Sequence, residues 1–183
     1  MAILWLGFDS AWTKTNSGAI VGALGDDAGV VRELGLPRLV RSREAADSVS
    51  AWQAAHAPSS TLVLVDQPTI VENDTRQRPV ESIVCSAVSR RRGAMQPANK
   101  GRAEMFGSGA PIWAFLDRFG GAANPFGAVT STRVFETYPV LAIISLAWTL
   151  PDSQRSAGRL PKYNPERRKT FAIADWVHVC RAA

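Results

Sequence analysis

Cysteine and histidine are both scarce in this chain, with two of each in 183 residues. Cys85 and Cys180 are too few for a disulfide framework, and neither belongs to a Cys-x-x-Cys pair. They read as two reduced thiols of a cytoplasmic protein. His56 and His178 lie far apart along the chain, which argues against a zinc site and against a histidine-based triad. Long apolar runs are missing as well. Ala2–Leu6 and Val140–Leu150, the second broken by Ser145 and Thr149, fall short of the about 18 residues that a membrane span needs. The N-terminus has no basic region and no small-residue cleavage site, so no secretory signal is expected. No phosphate loop of the Walker type occurs; Gly107-Ser108-Gly109 is only a flexible turn. Lysine is rare too: four residues against seventeen arginines, in a chain of net charge +5. Guanidinium groups grip phosphate through paired hydrogen bonds, where lysine offers a point charge. Nucleic acid or a nucleotide is therefore the expected partner class, and a membrane is not.

What is present describes one ordinary domain. At 46% hydrophobic and 20% charged residues, the chain is long enough to build a core without disulfide or metal staples. Ile3–Asp9 is apolar almost throughout and reads as a buried strand ending at an acid. Gly18–Leu24 and Val30–Leu34, separated by Gly25-Asp26-Asp27-Ala28-Gly29, read as two further strands of an antiparallel meander. Ser42 looks like the cap of a helix from Arg43 to Ala55, which Pro58 ends. Thr61–Asp66 is a fourth strand, again stopping at an acid, and Thr132–Tyr138 a fifth, carrying Glu136. Helices are expected from Pro79 to Arg92, Pro111 to Phe119 and Pro139 to Trp148, and a last one from Pro165, capped by Asn164. Gly93–Gly109 reads as a loop. A meander followed by right-handed crossovers gives a mixed sheet covered by helices, with ligand sites beyond the carboxyl ends of its parallel strands.

Three strand ends thus carry a carboxylate: Asp9, Asp66 and Glu136. With the first, fourth and fifth strands adjacent and parallel, these acids meet at one edge. Carboxylates gathered without histidine or thiolate make a hard oxygen site suited to Mg²⁺ or Mn²⁺. Two such ions about 3.5–4 Å apart promote phosphodiester hydrolysis. A single acid at a strand end more often just caps a turn; three at adjoining ends repel one another, and a cation relieves them.

The segments around these acids resemble a known pattern. Gly7-Phe8-Asp9-Ser10-Ala11-Trp12 followed by Gly18-Ala19-Ile20-Val21 is similar to the opening hairpin of the ribonuclease-H-like superfamily. Together with Val65-Asp66-Gln67-Pro68, Arg78-Pro79-Val80-Glu81, Gln96-Pro97-Ala98-Asn99-Lys100-Gly101-Arg102, Phe135-Glu136-Thr137-Tyr138-Pro139, and Lys162-Tyr163 with Arg167-Arg168, it resembles the proteins grouped as domain of unknown function 429, predicted ribonuclease-H-like nucleases. The resemblance implies an α/β fold: a mixed five-stranded sheet of order 3-2-1-4-5, strand 2 antiparallel, with helices on both faces. It implies a single domain over residues 1–183, with 67–110 an elaborated basic loop and helix insertion. It also implies a metal-dependent nuclease in which Asp9, Asp66 and Glu136 are catalytic and hold Mg²⁺ or Mn²⁺. Such nucleases draw a further acid from the last helix; Asp175 is the candidate, with Glu166 and Glu81 as alternatives. Relatives continue with another helix and a later acid, so this chain is expected to be shortened at its C-terminus.

Phosphate or substrate contacts are expected from Arg78 and Glu81, which follow Asp66 in a matched segment, and from Arg90, Lys100 and Arg102. The run Arg90-Arg91-Arg92 reads either as a phosphate track or as a solvated helix end. Lys162, Arg167 and Arg168 form a second basic cluster. Trp12 is placed to stack on a base or to pack over the hairpin. The first expectation is a two-metal nuclease. Its rivals are a nucleic-acid or nucleotide binding module on the same fold, and a phosphotransferase of the actin and sugar-kinase type, which would need a second, duplicated domain.

Overall fold

Alternation along the first strand sets the sheet's two faces. In β1 (Ile3–Asp9), Leu4, Leu6 and Phe8 are buried while Trp5 and Asp9 are exposed, the two-residue period of a strand with one covered face. The other strands are β2 (Gly18–Gly25), β3 (Val31–Glu33), β4 (Arg38–Val40), β5 (Ser60–Val65) and β6 (Thr132–Glu136). The computed structural model describes residues 1–10, 12–26, 28–127, 131–164 and 168–183. Among them the helices are α1 (Ser42–His56), α2 (Pro79–Ser89), α3 (Ala103–Phe106), α4 (Pro111–Asp117), α5 (Pro139–Ser145) and α6 (Ile173–Ala182). No helix among the described residues is long and apolar enough to cross a membrane.

The sheet is mixed. β2 lies antiparallel to β1, with Ile3 opposite Gly25 and Asp9 opposite Ala19. β5 runs parallel to β1, and β6 parallel to β5. The expected five strands in the order 3-2-1-4-5 require correction. The sheet has six strands, ordered β3-β2-β1-β5-β6, with β4 also paired to β2. Arg38–Val40, a stretch in which no strand was expected, pairs with Gly18–Ile20. Three residues are too few to display the alternation that marks a strand.

The chain divides into two compact units, Met1–Arg76 with Ala98–Thr137, and Gln77–Pro97 with Tyr138–Ala183. The first unit holds the whole sheet. Its core sets Leu4, Leu6, Phe8, Ile20, Val63, Val65 and Val134 of the sheet against Ala45 and Val49 of α1 and Ile112, Phe115 and Leu116 of α4. Each large side chain buried there contributes roughly 1.5–3 kcal/mol. The rings of Phe8 and Phe115 sit 5.0 Å apart. α1 starts one residue earlier than expected because the Glu44 carboxylate accepts the backbone N–H of Arg41 at 2.7 Å, fixing the cap at Arg41. A smaller cluster, Val71, Ala98 and Phe106 with Trp12, Met105 and Trp113 against it, lies in the same unit. It includes α3, in a stretch expected to be loop.

In the second unit α2 packs against α5, with Val88 and Ile143 buried. The last helix departs from expectation. It starts at Ile173 with Ala172 as its cap. The Ala172 N–H is bonded to the Lys162 carbonyl at 2.9 Å, which ties residue 172 to an extended segment and postpones the helix. Pro165, Glu166 and Arg167 lie outside the described residues.

Candidate functional site

Parallel pairing of β1, β5 and β6 aligns their carboxyl ends. Phe8 is opposite Val65, and Val65 is opposite Glu136. Asp9 closes β1, Glu136 closes β6, and Asp66 follows β5 directly. The ladder continues through these positions: Asp66 N–H donates to the Phe8 carbonyl at 2.9 Å and Thr137 N–H to the Val65 carbonyl at 2.8 Å. At Gly18, opposite the end of β1, a Cβ would fall 1.8 Å from the Asp9 carbonyl oxygen, so only glycine lets β2 approach this closely.

The electrostatics match the convergence. Asp66 is pushed from its ordinary 3.8 up to about 6, chiefly by burial and then by the negative charges of Asp9 and Glu136. A raised carboxyl pKa means that the ionised form is penalised there; a proton or a cation removes the penalty. Glu136 Oε2 accepts the Thr69 N–H at 3.1 Å, which orients that carboxylate.

Among the described residues no three His, Cys, Asp or Glu side chains gather tightly enough to cage a single metal ion. An all-oxygen set sharing its charge in this way still fits Mg²⁺ or Mn²⁺. Mg²⁺ dehydrates reluctantly and is commonly held by one or two carboxylates, with water and substrate phosphate completing its shell. One or two of the carboxylates of Asp9, Asp66 and Glu136 would hold such an ion.

Beside the acids stand polar groups that sequence reasoning passed over. The Ser10 hydroxyl donates to Gln67 Oε1, and Gln67 Nε2 donates to the Met105 carbonyl at 3.1 Å. Each directly follows an acid, in Asp9-Ser10 and Asp66-Gln67, which is the signal that could have found them. Trp12 is half-buried and packs on its own unit. Its indole N–H donates to the Asp66 carbonyl at 2.9 Å, and its ring meets Phe106 edge-on at 5.6 Å.

The remaining candidates divide between the units. Lys100 and Arg102 share the first unit with the acids. Their loop is pinned: Lys100 N–H and Gly101 N–H donate to the Asn73 and Asp74 carbonyls, both at 3.0 Å. Asn73 Nδ2 in turn donates to the Thr75, Arg76 and Ala98 carbonyls. Arg78, Glu81, Arg90, Lys162, Arg168 and Asp175 belong to the second unit. There the Glu81 carboxylate accepts Arg78 Nε at 2.8 Å and Arg78 N–H at 3.0 Å, closing the start of α2 as an ion-paired cap. Asp175 holds Arg159 with both oxygens and accepts the Lys162 N–H at 2.7 Å. Arg159 first, and the Lys162 amide with it, hold the Asp175 carboxyl below its ordinary range against the opposing effect of burial. Arg90, Lys162 and Arg168 are exposed. The alternatives Glu166 and Arg167 lie outside the described residues.

No curated protein and no solved structure matches the chain. The family model described as protein of unknown function (DUF429) matches residues 7–180. With nearly its whole length matched, the chain belongs to that family.

Proposed function

We propose that this protein is a nuclease that hydrolyses nucleic-acid phosphodiester bonds with the help of divalent Mg²⁺ or Mn²⁺. The observation that carries the reading is the coupled carboxylate set at the ends of three adjacent parallel strands, with Asp66 raised to about 6 by burial and by its two acidic neighbours. Calling the fold ribonuclease-H-like rests on the β1–β2 hairpin and on β1, β5 and β6 with acids at their carboxyl ends; β4 is a departure from it.

A divalent ion held by these carboxylates would supply the positive charge that offsets charge building on the phosphate oxygens. The chain's own residues do the rest. Asp9, Asp66 and Glu136 present oxygens from positions fixed by the strand ladder. Lys100 and Arg102, on their pinned loop, supply cations for backbone phosphates. Arg90, Lys162 and Arg168 offer exposed cations to the same class of ligand. A second reading, a nucleic-acid or nucleotide binding module without turnover, is favoured by the lack of a three-ligand cage among the described residues.

Mn²⁺ titration of wild type and Asp9→Asn, followed by cleavage assays on single-stranded, duplex and hybrid substrates, separates the two. The nuclease reading expects Mn²⁺ binding and cleavage that Asp9→Asn abolishes together. Cleavage that survives Asp9→Asn overturns it. Nucleic-acid binding with no cleavage in either metal selects the binding module.

A further inference from the structure

A buried polar strut links the chain just after the first acid to the chain just after the second. Ser10 and Gln67 are each 2% exposed and are bonded to one another, hydroxyl to amide oxygen. The Gln67 amide nitrogen reaches across to the Met105 carbonyl of α3 at 3.1 Å. Trp12 adds a second tie, from its indole N–H to the Asp66 carbonyl. An apolar pair would fill this volume with no polar groups to satisfy, so a hydrogen-bonded amide here fixes geometry rather than merely filling space. Neighbouring carboxylates that repel one another need such a restraint, because nothing in their own interaction keeps them together.

We propose that Gln67 is a positioning residue: through Ser10 and α3 it holds Asp9 and Asp66 at the separation at which they share a divalent cation. The assignment rests on the metal reading above. Gln67 touches neither the cation nor the substrate; its effect passes through the backbone on either side of the acids. Groups bonded directly to a metal ligand typically change metal affinity 10–100-fold when replaced; Gln67, which acts through Ser10 and the backbone, is expected at the lower end of that range.

The test compares Gln67→Met, which keeps the length and loses the amide, with Ser10→Ala, Ser10→Thr and the double variant Ser10→Ala/Gln67→Met. Mn²⁺ affinity is read by calorimetry on each. Amide hydrogen exchange at Asp66 and Val63 is read without metal. Val71→Ala serves as a control that loosens the adjoining apolar cluster and leaves the strut intact. Gln67→Met and Ser10→Ala are each expected to weaken Mn²⁺ binding about tenfold or more, with the double variant no weaker than the worse single one. Ser10→Thr, which keeps the hydroxyl, is expected to retain wild-type affinity. Exchange should quicken at Asp66 and stay unchanged at Val63. Wild-type affinity in Gln67→Met, or an equal loss in Val71→Ala, overturns the positioning role and leaves the metal reading standing. A wild-type protein that binds no Mn²⁺ sinks the metal reading, and this assignment with it.

Discussion

In the second unit, Glu81, Asp152 and Asp175 each face an arginine: Arg78, Arg92 and Arg159. In the first, Asp66 stands within range of the negative charges of Asp9 and Glu136 at the end of the sheet. The consequences for ionisation are opposite. Arginine partners hold Asp152 and Asp175 below the usual carboxylate range, whereas burial and like charge push Asp66 up to about 6. The contrast separates two uses of an acid. Where the carboxylate secures the fold, the chain provides its counter-charge. Where three carboxylates converge on a sheet edge, the forces on Asp66 are burial and negative charge, which is the observation that the proposed metal site rests on.

The largest test of that contrast is catalytic. Asp66→Asn and Asp9→Asn are each expected to lower Mn²⁺-dependent cleavage by roughly 10³-fold, since metal stabilisation of the transition state amounts to several kcal/mol. A variant that cleaves within tenfold of wild type would erase the distinction between the two acid sets. Next in size, Asp175→Ala strips a buried carboxylate from Arg159 and is expected to destabilise the protein by roughly 3 kcal/mol, read by urea unfolding. A loss of Mn²⁺ affinity in the gentler Asp175→Asn would instead assign Asp175 to the metal site.

The pH dependence sharpens the comparison because its two arms slope oppositely. The folded-state pKa of Asp66 lies above its ordinary value, so the metal-free protein loses stability as pH rises from about 4 to 6. The loss is roughly 2–3 kcal/mol and is complete above that window. Asp66→Asn should abolish this slope and make the metal-free protein more stable than wild type at pH 7. Asp175 is held low, so its stabilisation is present above about pH 4 and is lost as pH falls through its depressed value. The smallest effect is expected at Arg118→Ala. Its pair with Asp47 is exposed on both sides, so unfolding should shift by less than about 0.5 kcal/mol.

Much of the first unit was legible because its strands are apolar runs with distinct ends. β1 was read with its observed bounds, and β2, β5 and β6 to within two residues at either end, which was enough to line up Asp9, Asp66 and Glu136. β4 and α3 were not legible: segments of three and four residues carry too little periodicity, and no hairpin turn announces them as Gly25–Gly29 announces the equally short β3, so only their partners β2 and α4 reveal them. Arg78 and Glu81 were read as substrate contacts; their spacing of three also matches a helix cap, and they form one at the start of α2. Asp175 was read as a further acid of the site, and its ion pair was not foreseen. Its partner Arg159 lies sixteen residues away in an irregular segment, where no local pattern announces an ion pair. Ser10 and Gln67 stood inside the matched segments but were given no role, because uncharged residues beside acids look like turn residues until their mutual contact is seen.

The outer side of β2 is shared by two short strands laid end to end, β4 against Gly18–Ile20 and β3 against Ala23–Gly25. Between them the chain passes Gly35 and Pro37. A continuous strand on this side would present a long row of unpaired backbone groups, onto which another chain could add its own strand. Two three-residue pieces interrupted by a residue lacking an N–H present no such row. With Leu36 and Leu39 more than 80% exposed on this margin, the broken edge discourages a greasy border from seeding aggregates.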